Sequence, residues 1–527
     1  MSSARMILTS PNWLDEDRGS LHEWQSVEGF RANNLKPGFS STQLSAMRGN
    51  WTVVEDRENE VVIATDICRS HPIAYAFIEG RWVITDDVEK LRPLLDFKPN
   101  TAQIETFANS ALSFGQETLI ENVYSTPAAT LITLKDDGSA ASEPLIDFHF
   151  SPTPITDPEE FANRFSNALD VVFGRLLEKS SSRELVIPLS GGLDSRLVAV
   201  WLKKLGAPKV TCFTYGKPGS AESKISAEVA ADLDLDWHYV SMETEEVRRA
   251  WAGDETDDFL RSTWKGTSLP HVQDWYALRM LRLRKTISPD SIFLPGHTIV
   301  GNMHDEELAS GVPELKKLQR AMLKHHLNMQ GRWKKAALLD AVKKQLSAAI
   351  ATLDKNSPRA VQELFEWFNV SQRQAKYINN SMSSYEHFGY SWALPMLDRE
   401  VVDAWLSGSA ELTLTRDWYS KFVAEEFAKE TGREIQLFEP PSTKMPEPLK
   451  KLMLAIIRAT KINVLLERYR SFKTVTNHPM AFEAFTDFSE KEQFSSIMTG
   501  ANQLGFWTES FLNNSWGGQG IIVPKAG

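Results

Sequence analysis

Residues 184–202 read Glu-Leu-Val-Ile-Pro-Leu-Ser-Gly-Gly-Leu-Asp-Ser-Arg-Leu-Val-Ala-Val-Trp-Leu. An apolar run ends abruptly in the polar segment 190–195, and a second apolar run with helical spacing follows it. This pattern predicts a buried strand, a tight loop and the first turn of a helix. Such a junction directs free backbone N–H groups and the positive end of the helix dipole at one point. The stretch therefore predicts an anion-binding loop, and a pyrophosphate group fits it best.

The side chains of this loop suit a phosphate ligand. Gly191 and Gly192 allow the backbone to approach phosphate oxygens without an intervening Cβ. Ser190 and Ser195 add hydroxyl donors, and we expect Asp194 to hold a Mg²⁺ ion against the phosphate oxygens. No Gly-Lys-Ser/Thr follows, so the loop is not of the Walker type and does not imply transfer of a γ-phosphate. The alternative is an ordinary Gly-rich turn between a strand and a helix.

The composition is that of an acidic globular protein. Of 527 residues, 42% are hydrophobic and 24% are charged, and this length allows roughly two to four domains with cores of their own. The formal net charge is −11 at pH 7, and long Lys/Arg runs are absent from the sequence. This charge argues against a general nucleic-acid-binding protein.

Cysteine usage and the lengths of the apolar runs predict a cytoplasmic protein. Cys68 and Cys212 are the only cysteines, so the sequence contains neither a disulfide framework nor a zinc-ligand spacing. The first residues lack the apolar core of a signal peptide, and no apolar run approaches the ~20 residues that a membrane span needs. We therefore expect no association with a membrane.

The chain divides near a Pro-rich linker. Short β-branched and aromatic runs separated by polar turns indicate a β-rich region over residues 50–135. The linker at 150–158 ends in a helix start, with Asp157 as the N-cap and Pro158 at the first helical position. We expect a domain boundary at this linker.

Strands and helices alternate beyond the linker. The alternation extends from 184 to about 300 and predicts a parallel sheet with helices on both faces. Ligand-binding loops are expected at the carboxyl ends of its strands, at 190–195, 215–222 and 295–307. Residues 313–527 are predicted to be mostly helical.

Three segments of the sequence carry a family resemblance. Residues 190–195 match the pyrophosphate loop of the ATP pyrophosphatases, SGGxDS. Residues 213–224 read Phe-Thr-Tyr-Gly-Lys-Pro-Gly-Ser-Ala-Glu-Ser-Lys, and this segment resembles the one that follows the loop in asparagine synthetase. Residues 380–398 resemble the "M…E…P-F-L-D" signature of the same family. The resemblance covers most of residues 50–450.

The resemblance implies a multidomain fold of the α/β and α+β classes. Residues 66–75 and 118–129 resemble later strands of the family's glutaminase domain. A β-rich, glutaminase-like sandwich domain of the Ntn type is therefore expected at 1–150. A parallel-sheet ATP pyrophosphatase domain of the adenine nucleotide alpha hydrolase-like type is expected at 157–450, followed by a helical extension at 451–527.

The N-terminal region departs from the family pattern. A working glutaminase of this family uses a cysteine at the mature N-terminus, with its own α-amine as base. Residue 2 is Ser2, and neither cysteine lies near the start. We therefore expect a degenerate domain without glutaminase activity that serves as a structural cap. Ammonia or another amine would then come from solution or from a separate glutaminase partner.

The resemblance also implies a reaction. It predicts an ATP-dependent ligase that activates a carboxylate as an acyl-adenylate, releases AMP and pyrophosphate, and forms an amide with ammonia or an amine. ATP and Mg²⁺ are the expected cofactors, and the partners are a small-molecule carboxylate acceptor and the amine donor, with no nucleic acid and no membrane. The acid could be aspartate, a sugar acid or a peptide, and the oligomeric state stays open.

The resemblance assigns catalytic roles to two residues. Glu386 matches the family's glutamate, which would accept the proton that the attacking amine loses. Lys444 occupies a later loop in which the family has a lysine that assists both transition states, and Lys421 is its rival. The expected nucleotide-binding residues are Leu189, Ser190, Gly191, Gly192, Leu193, Asp194, Ser195, Tyr215, Gly216, Gly296 and His297, with Asp194 as the metal ligand.

A second departure follows the predicted strand at 291–294. The family has "S-G-x-G-x-D-E" there, and in this chain Gly296 matches while the expected acid falls near Val300. The segment Asp305-Glu306-Glu307 could supply the acid if the loop is reshaped, or His297 could contact a phosphate.

Two other functions remain open. A nucleotide-binding pseudoenzyme or scaffold of the same fold would explain the missing N-terminal cysteine and the altered loop. A tRNA-modifying or sulfur-transferring enzyme with the same loop is disfavoured by the acidic charge, the missing CxxC and the lack of a basic patch.

Overall fold

Strands dominate the chain up to residue 144, and a second sheet surrounded by helices follows. The computed structural model describes residues 3–16, 20–31, 35–180, 182–253, 255–301, 315–330, 340, 342–345, 347, 357–434, 462–486 and 488–513. The strands are β1 Arg5–Ile7, β2 Trp13–Glu16, β3 Leu21–Gln25, β4 Trp51–Asp56, β5 Glu60–Thr65, β6 Ala74–Ile78, β7 Arg81–Thr85, β8 Tyr124–Ser125, β9 Thr130–Lys135, β10 Ala140–Pro144, β11 Leu185–Pro188, β12 Val210–Gly216, β13 Asp236–Ser241, β14 Ile292–Phe293 and β15 Ser391–Trp392.

Helices make up most of the remaining described chain. The α-helices are α1 Ser41–Ser45, α2 Thr101–Ser110, α3 Pro158–Ser180, α4 Leu193–Lys204, α5 Ala221–Asp232, α6 Thr244–Trp251, α7 Glu255–Thr263, α8 Trp275–Leu283, α9 Leu315–His326, α10 Ala360–Phe368, α11 Met382–His387, α12 Arg399–Leu406, α13 Ala410–Thr413, α14 Asp417–Thr431, α15 Ile462–Thr476, α16 Glu490–Thr499 and α17 Gln503–Leu512. A π-helix spans Asn369–Ile378, and short 3-10 helices span Val88–Leu91, Asn379–Ser381, Pro395–Leu397 and Phe482–Phe485.

Two sheets form the N-terminal part. One has the strand order β1-β7-β6-β8 and the other β10-β9-β5-β4-β3-β2. Neighbouring strands are antiparallel, except that β1 and β7 are parallel. One buried cluster contains Val54 and Ile63 from the larger sheet and Trp82 and Ile84 from the smaller one. The two sheets therefore share a core, as the apolar runs of residues 50–135 require.

The sequence pattern did not identify β1, β2 and β3. Strand β2, Trp-Leu-Asp-Glu, is the last strand of the larger sheet and, among the described strands, pairs with β3 alone. Strand β3, Leu-His-Glu-Trp-Gln, contains buried polar residues, among them Glu23, which is 1% exposed. Strands with charged positions inside the protein lack the alternation by which a strand is identified from sequence.

Helix α3 begins where the linker predicts. The Asp157 carboxylate accepts the backbone N–H groups of Glu159 at 3.0 Å and Glu160 at 2.8 Å, which satisfies donors that the helix start leaves free. Apolar side chains at helical spacing, from Phe161 to Leu176, are buried along one face of α3. The N-cap and the apolar face predicted from sequence are both confirmed.

The second sheet is parallel, as the alternation of strands and helices predicts. Its strand order is β13-β12-β11-β14-β15, and every neighbouring pair is parallel. The central strand β11 has Leu185, Val186 and Ile187 fully buried, since both faces of a parallel sheet are covered. The sequence missed β15, because two paired residues are too few to produce a pattern.

The chain reverses its direction across the sheet at β11. Strand β12 lies on one side of β11, and β14, the next strand of the sheet after β13, lies on the other. The carboxyl end of β11 is therefore the switch point at which open α/β sheets bind ligands. Residues 189–195 follow β11, so the fold places the predicted anion loop at this point.

Hydrogen bonds join the N-terminal sheets to the rest of the chain. Gly49 donates its backbone N–H to Asp398 Oδ2 at 2.8 Å, and the buried ammonium of Lys376 donates to the Ser113 carbonyl at 2.7 Å. The Asn379 side chain donates to the carbonyl of Cys68 at 3.0 Å. None of the described helices is both long enough and apolar enough to cross a bilayer.

Candidate active site

A cavity of about 530 Å³ opens at the carboxyl ends of the parallel strands. Its volume is in the range of pockets that bind small molecules. A second cavity of about 320 Å³ adjoins it, and Asp194, Gly296 and His297 line both. The predicted nucleotide-binding residues that line the larger cavity are Leu189, Ser190, Gly192, Asp194, Ser195, Tyr215, Gly296 and His297. Gly191, Leu193 and Gly216 belong to the same loops but are not among its lining residues.

The loop after β11 is held by its two serines. Ser195 Oγ accepts the Ser190 backbone N–H at 3.1 Å, and the two hydroxyl oxygens lie 3.0 Å apart. Ser190 Oγ also accepts the Gly192 N–H at 3.1 Å. Gly192 is the N-cap of α4, and no side chain caps this helix. The first N–H groups of α4 thus lack a side-chain acceptor, which leaves them for an anion at the cavity.

Asp194, the predicted metal ligand, forms an ion pair. Its Oδ1 lies 2.5 Å from a guanidinium nitrogen of Arg416, and the two side chains are 29% and 34% exposed. Burial raises the pKa of Asp194 above its ordinary value, and Arg416 opposes this shift. A metal ion at this carboxylate would have to share it with Arg416 or displace Arg416.

The residues around Asp194 limit how a metal ion could be held. In the described part of the chain, no group of three or more His, Cys, Asp and Glu residues is arranged to bind a metal. A Mg²⁺ ion beside Asp194 would take its other oxygen ligands from phosphate and water, which is the usual coordination of this ion in nucleotide sites. The carboxylate faces the cavity and fits that role.

Gly296 lies against the first turn of α4. A Cβ added to Gly296 would lie 2.4 Å from the Ser195 backbone nitrogen and 2.7 Å from the Asp194 carbonyl carbon. No side chain fits at this position, so the loop after β14 can pack onto the anion loop only with glycine. Val300 in this loop is buried, and Asp305, Glu306 and Glu307 lie outside the described residues.

His297 is oriented by an asparagine. Its Nδ1 lies 3.2 Å from Asn379 Oδ1, which also accepts from the Gln374 amide at 2.8 Å. The Asn379 amide nitrogen donates to the Cys68 carbonyl, so the oxygen of this side chain must be the atom that faces His297. In the neutral imidazole, Nδ1 therefore carries the hydrogen and Nε2 is an acceptor.

Burial keeps His297 neutral. Burial and, to a smaller extent, the neighbouring His271 lower the pKa of His297 to about 4, although the hydrogen bond with Asn379 opposes this shift. At neutral pH the imidazole thus has no N–H donor besides the one directed at Asn379. It can accept a proton or a hydrogen bond through Nε2. Nε2 could donate a hydrogen bond to a phosphate only if the imidazole were protonated.

The cavity also contains polar residues that the sequence did not single out. Among them are His271, Asp274 and Arg373. His271 Nδ1 and Asp274 Oδ1 lie 4.0 Å apart, and neither atom has a hydrogen-bond partner in the structure. Arg373 comes from the π-helix Asn369–Ile378. None of the three follows a strand end or belongs to a recognisable motif, so no pattern could have found them.

Of the two predicted catalytic residues, Glu386 is described by the structure and is not among the residues that line the cavity. Glu386 Oε1 accepts a hydrogen bond from the Trp392 indole at 3.0 Å, whereas its neighbour Tyr385 lines the cavity. Lys444 lies outside the described residues. Lys421, its rival, is an exposed residue of α14. The roles of Glu386 and Lys444 remain predictions.

A family model matches the part of the chain that contains the anion loop. Residues 177–260, about one sixth of the chain, match the model described as Asparagine synthase. This segment contains β11, α4, β12, α5 and β13. The match therefore makes this segment similar to that family and does not extend to the N-terminal sheets or the C-terminal helices. A sequence search of curated proteins gave no match.

Comparison with solved structures gives distant likenesses. A predicted subunit of tRNA methyltransferase from Methanocaldococcus jannaschii has 19% identity and a TM-score of 0.15, over 27% of this chain and 63% of that one. This chain thus covers less than two thirds of the methyltransferase subunit.

Two synthetases are also similar at a low level. NH3-dependent NAD synthetase from Campylobacter jejuni has 15% identity and a TM-score of 0.20, over 41% of this chain and 94% of that one. NMN synthetase from Francisella tularensis has 14% identity and a TM-score of 0.19, over 55% and 100%. At such TM-scores and identities these likenesses carry no argument about activity or ligands.

Proposed function

We propose that this chain is an ATP-dependent carbon–nitrogen ligase similar to asparagine synthetase. It would activate a carboxylate as an acyl-adenylate, with release of pyrophosphate, and pass the acyl group to ammonia or another amine, with release of AMP. The observation that carries the proposal is the anion loop after β11, which lies at the switch point of a parallel sheet. The uncapped start of α4, two serine hydroxyls and a carboxylate meet there at a cavity large enough for a nucleotide.

The anion loop suits the departing pyrophosphate. The N–H groups at the start of α4 and the hydroxyls of Ser190 and Ser195 would hold the β- and γ-phosphates and stabilise the negative charge that develops as the bond to the α-phosphate breaks. Asp194 would hold Mg²⁺, which supplies charge neutralisation at the phosphate oxygens when bound. Arg416, which pairs with Asp194 and lines the adjoining cavity, would offer its guanidinium to the same phosphates.

The transfer to an amine requires a proton acceptor. The amine loses a proton as the amide bond forms. His297 suits this role, because the hydrogen bond from Nδ1 to Asn379 leaves Nε2 for the cavity. Negative charge on a bound phosphate would raise the pKa of the imidazole and help it retain the proton. Glu386 is the alternative proton acceptor, on the grounds of its motif.

The N-terminal sheets would serve this reaction without hydrolysing glutamine. The chain has no cysteine before Cys68, and Cys68 is buried, with burial raising the pKa of its thiol. A buried thiol of raised pKa is a poor nucleophile. We propose a glutaminase-like domain that acts as a structural cap, with ammonia or an amine supplied from solution or by a partner, in the cytoplasm.

Product formation from ATP tests the proposal. The purified protein is incubated with Mg²⁺-ATP, ammonium and, in turn, amino acids, sugar acids and short peptides, and AMP and pyrophosphate are measured. We expect equal amounts of both products with one class of acid, and their loss in Ser190→Ala and Asp194→Ala. Glu425→Ala, at an exposed position of α14, is the matched control.

Two results would contradict the proposal. Binding of ATP without AMP or pyrophosphate from any acid would favour the nucleotide-binding pseudoenzyme. Glutamate release from glutamine would overturn the assignment of the N-terminal sheets as a structural cap.

A further inference from the structure

The C-terminal helices contribute to the cavity of the anion loop. Met480, Phe482, Gln503, Leu504 and Trp507 line it together with Ser190 and Asp194. We call residues 477–483, with Gln503, Leu504 and Trp507 of α17, the C-terminal cover. It lies outside residues 177–260, the part of the chain that matches a family model.

The C-terminal cover is bound to the end of β12 through backbone atoms. The Lys217 N–H donates to the Pro479 carbonyl at 2.6 Å, next to Gly216 at the end of the strand. Gly216 has a φ of +143°, and a Cβ added to it would lie 3.1 Å from the Pro479 oxygen. Glycine thus allows both the backbone conformation and the close approach of the cover.

A nearly buried ion pair strengthens the attachment. Lys217 Nζ lies 2.6 Å from Glu483 Oε1 and donates to Asn477 Oδ1 at 2.6 Å. Glu483 also accepts the hydroxyl of Thr244 at 2.7 Å, and its side chain is 9% exposed. Separating a nearly buried ion pair would leave each charge without its partner, which costs free energy. These contacts therefore fix the position of residues 477–483 relative to the sheet.

The surface that the cover presents to the cavity suits a purine base. Trp507 and Phe482 pack edge to face with ring centroids 4.8 Å apart, and Met480 is their apolar neighbour in the cavity wall. Leu189 and Phe213 line the same cavity from the strand ends. A flat heterocycle fits between apolar and aromatic walls of this kind.

Gln503 supplies a polar group within this apolar wall. Its Nε2 is shielded from solvent and has no hydrogen-bond partner among the residues that the structure describes, so a ligand in the cavity could satisfy it. On the edge of adenine that carries N7, a carboxamide can donate to N7 while it accepts from the exocyclic amino group. The same edge of guanine presents two acceptors, N7 and O6, so the carboxamide oxygen finds no donor there.

We propose that the C-terminal cover is the base-recognition wall of the nucleotide site, with Gln503 selecting adenine over guanine. This inference rests on the proposed function, because it requires a nucleotide whose phosphates occupy the anion loop. It assigns nucleotide specificity to a segment outside the family match. Lys217 acts as a positioning residue, since it holds the cover and does not line the cavity.

Calorimetric titration of the full-length protein tests this assignment. The ligands are the α,β-methylene analogues of ATP and GTP with Mg²⁺, which resist cleavage between the α- and β-phosphates. We expect Gln503→Ala to weaken binding of the ATP analogue about tenfold, the loss typical of one base-reading pair, and to leave binding of the GTP analogue unchanged. Lys217→Met should also weaken binding of the ATP analogue, although Lys217 does not line the cavity and would not contact the ligand. Glu509→Ala, on the same helix but outside the cavity lining, should match the wild type.

The outcomes separate this inference from the proposed function. If the wild type binds the ATP analogue and Ser190→Ala abolishes binding, while Gln503→Ala and Lys217→Met keep the wild-type affinity and the same preference for ATP, the cover does not read the base. If the wild type binds neither analogue, the proposed function fails and this inference fails with it. Thermal unfolding of each variant excludes loss of fold as the cause of a change.

Discussion

Asn379 directs its side-chain oxygen at Nδ1 of His297, 3.2 Å away, and thereby fixes which imidazole nitrogen carries the hydrogen. The Asn379 amide is held in turn by the carbonyl of Cys68 in the N-terminal part of the chain. His297, which lines the cavity, is therefore oriented by Asn379, and Asn379 is held by a residue outside the parallel-sheet region. A substitution that moves the Cys68 carbonyl would thus change the orientation of His297.

The first prediction concerns the protonation of His297. The pKa of His297 is lowered to about 4 because burial disfavours the charged imidazole. Its side chain should stay neutral, with the hydrogen on Nδ1, down to about pH 5. The ¹⁵N chemical shifts of histidine-labelled protein report both the tautomer and the pKa. Asn379→Leu should remove the tautomer preference, and a His297 signal that titrates near pH 6.5 in the wild type would contradict the prediction.

The same shift predicts a dependence of stability on pH. An unfolded histidine has a pKa near 6.5, whereas the pKa of His297 in the folded protein is about 4. Between about pH 6.5 and 4, this side chain therefore binds a proton in the unfolded state but not in the folded state. Stability is then lost as the pH falls from about 6.5 towards 4, by ~3 kcal/mol for this group. Urea unfolding of His297→Gln should show a flatter profile in this window than the wild type. His238→Gln is the control, because it removes a histidine at a different position.

The second prediction concerns Gly296. A Cβ at this position would overlap the Ser195 nitrogen, so Gly296→Ala should force the loop and α4 apart and cost about 1–3 kcal/mol, as overpacking does. Nucleotide binding should fall in parallel, because the start of α4 moves. Gly301→Ala is a matched control, since its Cβ would find its nearest neighbours at 3.9 Å. Equal stability of the two variants in urea would contradict the steric argument.

The sequence carried enough information to predict the centre of the fold. The apolar run at Leu185–Pro188, the glycines and the following helical spacing are local features, and they correctly predicted a strand, a loop at 190–195 and a helix in this order. The helix start at Asp157 was equally predictable, because an N-cap acts on residues two and three positions away.

Other parts of the site depend on contacts between distant segments. Arg416 and Gln503 reach the cavity region from helices whose residues contain no recognisable motif, and Asn379 directly precedes the segment 380–398 without belonging to it. Their positions follow from how the helices pack, and one sequence does not encode this packing as a local pattern. For the same reason the sequence predicted a helical extension over residues 451–527 and did not predict that it would line the cavity.

The third prediction concerns the ion pair at the anion loop. Asp194→Ala should remove the part of nucleotide affinity that depends on Mg²⁺, by about 10- to 100-fold for a charge-assisted contact worth ~1.5–3 kcal/mol. Arg416→Met should instead free the carboxylate for the metal, and it removes the largest of the contacts that oppose the raised pKa of the buried Asp194. Titration of the ATP analogue with and without Mg²⁺ separates the two effects. Unchanged Mg²⁺ dependence in Asp194→Ala would exclude Asp194 as the metal ligand.

The last prediction concerns acid stability of the N-terminal sheets. Asp86 is buried, which by itself raises its pKa, but hydrogen bonds from His71, Trp13 and the backbone outweigh this effect and hold the pKa well below its ordinary value. Such a carboxylate stabilises the fold above its unfolded pKa, near 4, and the contribution is lost as the pH falls below that value.

Replacement of Asp86 should therefore matter most at neutral pH. Asp86→Asn keeps the size of the side chain, but in either orientation it turns an amide donor towards N–H groups that now donate to the carboxylate: Thr9 at Oδ1, or Ser10 and Trp13 at Oδ2. We expect a loss of about 3 kcal/mol at pH 7, as when one partner of a buried charged network is removed, and a smaller loss at pH 3. Asp137→Asn, at an exposed turn, is the control and should cost much less stability at pH 7 than Asp86→Asn does. A loss in Asp86→Asn that is equal at both pH values would show that packing, and not the charge of Asp86, stabilises this part of the protein.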